Sequence, residues 1–282
     1  MNILSIQSHV AYGHVGNSAA VFALQRLGVE VWPVHTVQFS NHTGYETFRG
    51  TAFEASHVLD LLQGLGERRA FARCDGVLSG YVGSPDMGFA ILNAMARAKR
   101  VNAKALYCCD PVLGDAGRGL FVTPEVADYV RARIVPAADI VTPNHFELET
   151  ITGRSVGDLA QALSAIDALR ALGPRVVLVT SLRTAETPAD VIDLVACDDA
   201  GRYRLRTPKL SVAAHGAGDL IAALFLVHYL RSASVAEALE RSAASVFGIL
   251  KRTADLGAEE MALIEAQDEL VNPGATFRAE KL

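Results

Sequence analysis

The sequence has no apolar run long enough to cross a lipid bilayer. Half of its 282 residues are hydrophobic, but the longest apolar stretches resemble LIAALFLVHYL, which has 11 residues. A membrane helix needs roughly 20. The first residues, MNILSIQSHV, show no positively charged leader followed by an apolar run and a small-residue cleavage site. We therefore expect no membrane association and a cytoplasmic location.

Basic residues are too few to indicate a nucleic-acid-binding surface. Lys and Arg number 26 against 31 for Asp and Glu, which gives a formal net charge of −5. No basic stripe alternates with aromatic residues, as nucleic-acid-binding surfaces commonly require. We therefore expect small molecules rather than nucleic acid as partners.

Several motifs that define common nucleotide and metal sites are also missing. No G-x-x-x-x-G-K-[ST] phosphate loop occurs, and no G-x-G-x-x-G with a later acid follows the first predicted strand. His9 and His14 do not form an HExxH pattern, so a zinc site is not expected. Any nucleotide site must be of another kind. Buried free thiols are expected for the four cysteines, which lack CxxC spacing: Cys74, Cys108, Cys109 and Cys197.

Short apolar runs alternate with helical patterns along most of the chain, which is typical of βαβ units around a mostly parallel sheet. The predicted strands are Ile3–Gln7, Val29–Val34, Gly76–Ser79, Ala105–Cys109, Asp139–Thr142 and Val176–Thr180. The predicted helices are Gly16–Leu27, Ser84–Arg100, Pro124–Ile134, Leu159–Leu172, Gly218–Leu230 and Val235–Leu250. Two runs within Asp190–Thr207 flank a DDAG turn, which predicts an antiparallel hairpin at the sheet edge. No linker or repeat divides the chain, so we expect one domain over residues 1–282.

The stretch HGAGDLIAALFLVHYL, from His215 to Leu230, places two glycines just ahead of an acid at the start of a helical pattern. Glycines let backbone approach a ligand closely, and a helix N-terminus favours phosphate. Asp219 then has two interpretations. It is either a helix cap, the more frequent role of an acid in an isolated G-x-G-D, or the base of a phosphoryl-transfer site.

Two further acidic segments follow predicted strands, where ligands of open α/β sheets bind. In CDPVLGDAGRG, Asp110 is either a turn-forming residue before proline or a residue that holds a magnesium ion. In TPNHFELE, Asn144 and Glu147 have the spacing of a capping box. The alternative is that Glu147 supports metal-bound water beside a nucleotide.

In this order, the segments resemble the ribokinase-like superfamily and, within it, the pyridoxal kinases. The resemblance covers nearly the whole chain and rests on QSHVAYGHVGN, FSNHTGY, SGYVGS, DPVLGD, TPNHFELE, HGAGD and the final ATFRAEKL. It implies a three-layer α/β/α fold with a central, mostly parallel sheet and an antiparallel edge hairpin. It also implies transfer of the γ-phosphoryl group of ATP to the 5′-hydroxymethyl group of pyridoxal.

The same resemblance implies the role of each site residue. Asp219 would be the general base, and the backbone N–H groups of Gly216, Ala217 and Gly218 would form an anion hole. The implied substrate positions are Ser8 at the pyridine nitrogen, with Thr43, Gly44 and Tyr81 around the ring. The implied ATP positions are Asp110, Asp115, Asn144, Glu147 and Thr180, of which Asp110 and Glu147 would serve Mg²⁺.

Two positions depart from the pattern, and two other functions stay open. Some bacterial members carry lysine where this chain has Thr180, and Gly44 stands where the resemblance allows a larger polar side chain. Hydroxymethylpyrimidine kinase is the alternative enzyme of the same chemistry. A non-catalytic vitamin B6 binding protein is the alternative from another class. The resemblance also suggests a homodimer and a monovalent cation.

Overall fold

Ten strands build one mixed sheet in the computed structural model, which describes residues 1–212 and 215–282. The sheet order is β12-β11-β10-β9-β8-β5-β4-β1-β2-β3. Its strands are β1 Asn2–Val10, β2 Glu30–Phe39, β3 Gly50–Ala52, β4 Gly76–Ser79, β5 Leu106–Cys109, β8 Ile140–Val141, β9 Val176–Leu182, β10 Val191–Cys197, β11 Arg202–Pro208 and β12 Glu280–Lys281. A separate small hairpin pairs β6 Gly114–Asp115 with β7 Gly119–Leu120.

The central strands are parallel and the edges are antiparallel. Parallel pairing runs from β2 through β1, β4, β5 and β8 to β9. Strands β10, β11 and β12 continue the sheet in antiparallel fashion on one side, and β3 does so on the other. The predicted mostly parallel sheet and its edge hairpin are therefore confirmed. The hairpin consists of β10 and β11.

Nine α-helices cover the two faces of the sheet within the described residues. They are α1 Asn17–Arg26, α2 Ala55–Glu67, α3 Pro85–Val101, α4 Pro124–Tyr129, α5 His145–Thr152, α6 Leu159–Ala171, α7 Ala217–Ser232, α8 Val235–Leu256 and α9 Asp268–Val271. Among the described residues, none of these helices is long and apolar enough to span a membrane.

The sheet divides the hydrophobic core into two layers because alternate strand residues point to opposite faces. On β1, Leu4 packs into the layer built with α2, α3, α5 and α6, whereas Ile3 packs into the layer built with α1, α7 and α8. Helix α7 is buried along Leu220–His228, which explains why its sequence is apolar on every side. The four cysteines are buried and free, as expected.

The structure adds elements that the periodicity did not predict. Helix α2 was missed because Gly64 and Gly66 interrupt its sequence, although Val58 and Leu62 give it a buried face. Strand β3 and the β6–β7 hairpin are only two or three residues long. Helix α8 continues six residues past the predicted end at Leu250 and stops before Gly257, whose positive φ of 60° ends the helix.

Asn17, the first residue of α1, forms hydrogen bonds with the two strands beside it, β1 and β2. Its side chain is 1% exposed, accepts a hydrogen bond from Ser5 Oγ at 2.7 Å and donates one to the Val34 carbonyl at 3.1 Å. We expect Asn17→Ala to lower the free energy of unfolding by about 1–3 kcal/mol because buried partners lose their hydrogen bonds. Urea unfolding would measure this loss, with the exposed Asn272→Ala as control. Equal effects of the two substitutions would contradict the assignment.

Candidate active site

Two adjoining cavities lie at the carboxyl ends of the parallel strands. The larger has a volume of about 640 Å³ and the smaller about 430 Å³. Their walls share six residues: Val15, His42, Val112, Arg118, Phe121 and Asp219. The arrangement can therefore hold two molecules that meet beside an acid.

Asp219 lies in the first turn of α7, on the wall that both cavities share. The helix begins at Ala217 and the residue before it is Gly216, so Asp219 is the third helical residue and not the N-cap. Burial raises the pKa of Asp219 to about 6, although backbone N–H groups of Gly16 and of Asp219 itself act in the opposite direction. The carboxyl group thus loses its proton just below neutral pH.

Gly216 allows the chain just before α7 to pack closely against the N-terminal segment. Gly216 has a φ of 92°, and a side chain there would collide with the carbonyl oxygen of His14. Gly216, Ala217 and Gly218 all line the smaller cavity. The first N–H groups of a helix have no partner within the helix, so this turn offers donors and partial positive charge to an anion.

Asp110 follows β5 directly and is buried. Its Oδ1 accepts a hydrogen bond from Thr142 Oγ1 at 2.8 Å. Burial raises the pKa of Asp110 well above its usual range, and the nearby carboxylates of Glu147 and Asp219 raise it further. Asp110 therefore lies close enough to two other acids to be repelled by both when they are ionised.

Glu147 and Asn144 form the capping box that their spacing predicts, at the start of α5. Asn144 Oδ1 accepts from the Glu147 backbone N–H at 3.0 Å, and Glu147 Oε2 accepts from the Asn144 backbone N–H at 2.8 Å. Glu147 Oε1 accepts from the Leu113 backbone N–H at 2.9 Å. Burial raises the pKa of Glu147 to about 7 despite these donors. Both oxygens are thus engaged by the backbone.

This acidic region fits a hydrated magnesium ion better than a metal held by protein ligands alone. Among the described residues, no group of three or more His, Cys, Asp or Glu side chains is placed to hold a metal ion. Mg²⁺ commonly binds through one or two carboxylates and keeps waters and phosphate oxygens as its other ligands. A cation beside Asp110 would also relieve the repulsion among the acids.

The remaining predicted nucleotide positions line the smaller cavity. Asn144 Nδ2 donates to the Gly114 carbonyl at 2.8 Å, and the Thr180 backbone N–H donates to the Pro143 carbonyl at 2.9 Å. Asp115 Oδ1 accepts from the backbone N–H groups of Gly117 and Arg118. These contacts fix the ends of three loops around one space.

The predicted substrate positions line the larger cavity instead. Ser8, Thr43, Gly44 and Tyr81 all contribute to its wall, together with Asp219. Burial raises the pKa of the Tyr81 hydroxyl, so that group is neutral at physiological pH. The structure therefore separates the two predicted sets of residues between two cavities and brings Asp219 into both.

Sequence reasoning missed three basic side chains beside the shared wall: His42, Arg118 and His215. His42 and His215 stack with ring centroids 4.0 Å apart. Burial lowers the pKa of both rings, and the positive charge of Arg118 lowers each pKa further. It also missed Glu260, whose carboxylate accepts hydrogen bonds from Tyr45 Oη at 2.5 Å and the His14 backbone N–H at 3.3 Å. No local pattern marks these contacts because they join segments that are far apart in sequence.

Comparisons with known proteins place this geometry in a family. The phosphomethylpyrimidine kinase family matches residues 73–263. The pyridoxal kinase of Granulibacter bethesdensis is 51% identical over 284 aligned residues, 99% of each chain, and that of Corynebacterium diphtheriae is 49% identical over the full length of both. The chain belongs to the pyridoxal kinase family.

A solved structure of that family also matches the fold. The pyridoxal kinase of Leishmania donovani, in complex with ADP and ginkgotoxin, superposes with a TM-score of 0.93 at 30% identity and covers 100% of this chain and 99% of its own. The fold is therefore ribokinase-like, and the family is one of kinases that use a nucleotide.

The burial of Glu147 makes stability depend on pH. Its folded pKa of about 7 lies above the ordinary value of 4.5. The stability that its protonated form contributes is thus complete below pH 4.5 and lost as pH rises through 7. We expect the melting temperature of the metal-free protein to fall between pH 5 and pH 8, and to fall less in Glu147→Gln.

Glu125→Gln is the matched control because Glu125 is exposed. Its melting temperature should follow the wild-type pH dependence. If Glu147→Gln shows the same slope as the wild type and this control, Glu147 is not the group that titrates.

Proposed function

We propose that this protein transfers the γ-phosphoryl group of ATP to the 5′-hydroxymethyl group of pyridoxal and releases pyridoxal 5′-phosphate and ADP. The observation that carries the proposal is the position of Asp219 on the wall between two cavities, at the N-terminus of α7. A reaction that joins two substrates at one acid needs that placement. The pyridoxal kinases of similar sequence support the choice of substrate.

Asp219 is proposed as the general base. It takes the proton of the substrate hydroxyl, whose oxygen then bonds to the γ-phosphorus while the bond to the β,γ-bridging oxygen breaks. A pKa of about 6 leaves the carboxylate ionised at neutral pH, yet basic enough to accept a proton. The N–H groups of Gly216, Ala217 and Gly218 are proposed to stabilise the charge on the transferring group.

The larger cavity is proposed to hold pyridoxal and the smaller one to hold ATP. Ser8 would meet the pyridine nitrogen, and Thr43, Gly44 and Tyr81 would surround the ring. Thr180, Asn144 and Asp115 would line the nucleotide phosphates.

Asp110 and Glu147 would serve the magnesium ion of the bound nucleotide. Bound Mg²⁺ neutralises charge on the β- and γ-phosphates. Asp110 is proposed as a direct ligand. Glu147 Oε1 and Oε2 already accept backbone hydrogen bonds, so we propose that Glu147 acts through metal-bound water.

Further proposals concern the protein as a whole. One sheet includes strands from residue 2 to residue 281, which supports a single domain over residues 1–282. A homodimer, a monovalent cation and a cytoplasmic location stay predictions from the sequence.

Phosphorylation of hydroxymethylpyrimidine is the second candidate, and the match of residues 73–263 to the phosphomethylpyrimidine kinase family is the observation that favours it. We expect the purified protein with magnesium and ATP to phosphorylate pyridoxal faster than hydroxymethylpyrimidine in parallel assays. Faster turnover of the pyrimidine would favour the second candidate. Pyridoxal binding without formation of pyridoxal 5′-phosphate would indicate a non-catalytic vitamin B6 binding protein.

Asp219→Asn keeps the size of the side chain and removes the base. We expect kcat to fall by about 10²–10⁴, the range for loss of a general base, with little change in melting temperature. The wild-type kcat/KM should decline as pH falls through about 6, and this decline should vanish in the residual activity of the variant.

Asp60→Asn is the control, since Asp60 is exposed on α2. A variant at Asp219 that keeps most of its activity but melts at a clearly lower temperature would mean that the acid stabilises the helix rather than the reaction.

A further inference from the structure

Three basic side chains that the proposed mechanism does not use lie where the two cavities meet. Of the six residues in the shared wall, His42, Arg118 and Asp219 are the ones with ionisable side chains. His215 stacks on His42 and lies just before the N-terminus of α7. One acid and a cluster of nitrogen donors thus lie beside the place where the phosphoryl group would pass from ATP to the acceptor hydroxyl.

Arg118 is held in place by Asp115 and an aromatic ring. Its Nε and Nη2 lie 3.1 Å and 3.0 Å from Asp115 Oδ2, and its guanidinium carbon lies 4.6 Å from the centre of the Phe121 ring. These contacts use one edge of the guanidinium group. Arginine presents further donors in a fixed plane that matches phosphate oxygens.

His42 is held in one tautomer by the backbone. The Gly44 N–H donates to His42 Nδ1 at 3.0 Å, so Nδ1 carries no proton and the neutral ring carries its proton on Nε2. Nε2–H is therefore the donor that His42 offers to a ligand. Because the ring is neutral, it can lie close to the cationic Arg118 without charge repulsion.

Gly44 is the residue that permits this approach. A Cβ at position 44 would lie 2.8 Å from His42 Nδ1 and 3.2 Å from Arg118 Nη1. Both distances are shorter than ordinary contacts, so a larger residue would force one side chain away. The departure from a larger polar residue at this position thus has a structural consequence, since it leaves room for His42 and Arg118 in their present positions.

We infer that Arg118 and His42 bind the phosphoryl group as it passes from ATP to the acceptor hydroxyl, with Arg118 Nη1 and His42 Nε2 as the donors. The inference rests on the proposed kinase function. The γ-phosphorus loses its bond to the bridging oxygen and gains one to the substrate oxygen, the hydroxyl proton goes to Asp219, and ADP leaves. Arg118 and His42 keep their own protons throughout and stabilise the negative charge of the transferring group.

Arg118→Gln is the decisive variant, with Arg118→Lys as the conservative one. We expect Arg118→Gln to lower kcat by about 10²–10³, as removal of a transition-state donor does, and to change the affinity for ADP by less than about threefold. Arg118→Lys keeps the charge without the planar donors and should recover part of the loss. Arg241→Gln is the control, since Arg241 forms an exposed ion pair with Glu237 on α8.

Binding of a transition-state analogue separates this role from one in holding the loop. Wild type and variants would be titrated with magnesium, ADP and aluminium fluoride in the presence of pyridoxal, and with magnesium and ADP alone. Arg118→Gln should weaken the aluminium fluoride complex by about the same factor as kcat while ADP binding is kept. If both complexes weaken equally, or kcat stays within about threefold of wild type, the inference is overturned.

His42 offers an independent test if substitution of Arg118 prevents folding. Gln places an amide nitrogen near the position of Nε2, whereas Asn reaches only to that of Nδ1. We expect His42→Asn to lower kcat about 10- to 100-fold, the value of one hydrogen bond to a charged group, and His42→Gln to keep most of the activity. Equal activity of the two variants would overturn the role of Nε2. A wild-type protein that forms no pyridoxal 5′-phosphate would overturn both this inference and the proposed function, whereas an active wild type with unaffected variants would overturn the inference alone.

Discussion

The burial of carboxylates at the N-terminus of α7 is the constraint on which the rest of the site depends. Burial raises the pKa of Asp110, Glu147 and Asp219, and the charges of Glu147 and Asp219 raise that of Asp110 further. Ionised acids are kept in such a place only by donors or cations close to them. Backbone N–H groups supply donors to Glu147 and Asp219, whereas Asp110 receives one hydroxyl from Thr142. Burial and the neighbouring acids therefore favour the protonated form of Asp110, and a magnesium ion beside it would favour the ionised form.

The same constraint explains why the base and the proposed anion hole belong to one element. Gly216, Ala217, Gly218 and Asp219 are consecutive residues at the start of a helix that is buried along most of its length. A buried helix holds its first turn in a fixed position relative to the sheet. The distance between the base and the N–H donors is therefore set by the helix itself, and the loops around it need only bring the substrates there.

Much of the fold could be predicted from the sequence because buried parallel strands and amphipathic helices leave strong local patterns. Such patterns predicted the strands that carry Thr180 or lead into Ser8 and Asp110, and they also predicted the capping box at Asn144. The predicted site residues came from the motifs and from the resemblance. Helix α2 and the β6–β7 hairpin were missed because glycines and short length hide their periodicity.

The contacts among His42, Arg118 and His215 could not be predicted, since three loops that are far apart in sequence meet only in the folded chain. The burial of a side chain and the charges around it are also set by the folded chain. The shifted pKa values of His42 and Glu147 therefore cannot be predicted from the local sequence.

The charged residues of this site differ in burial, and therefore in how much each contributes to stability. Asp110 and Glu147 are 5% and 4% exposed and bonded to other parts of the chain, so their replacement affects stability as well as chemistry. The Arg118 side chain is 48% exposed and its ion-pair partner is only three residues away, on the β6–β7 hairpin. An exposed pair of this kind contributes little to the free energy of unfolding. Replacement of Arg118 therefore costs little stability. Because Arg118 lines both cavities, its side chain can contact the transferring phosphoryl group directly. Stability and catalysis are therefore separable at Arg118 in a way that they are not at Asp110 and Glu147.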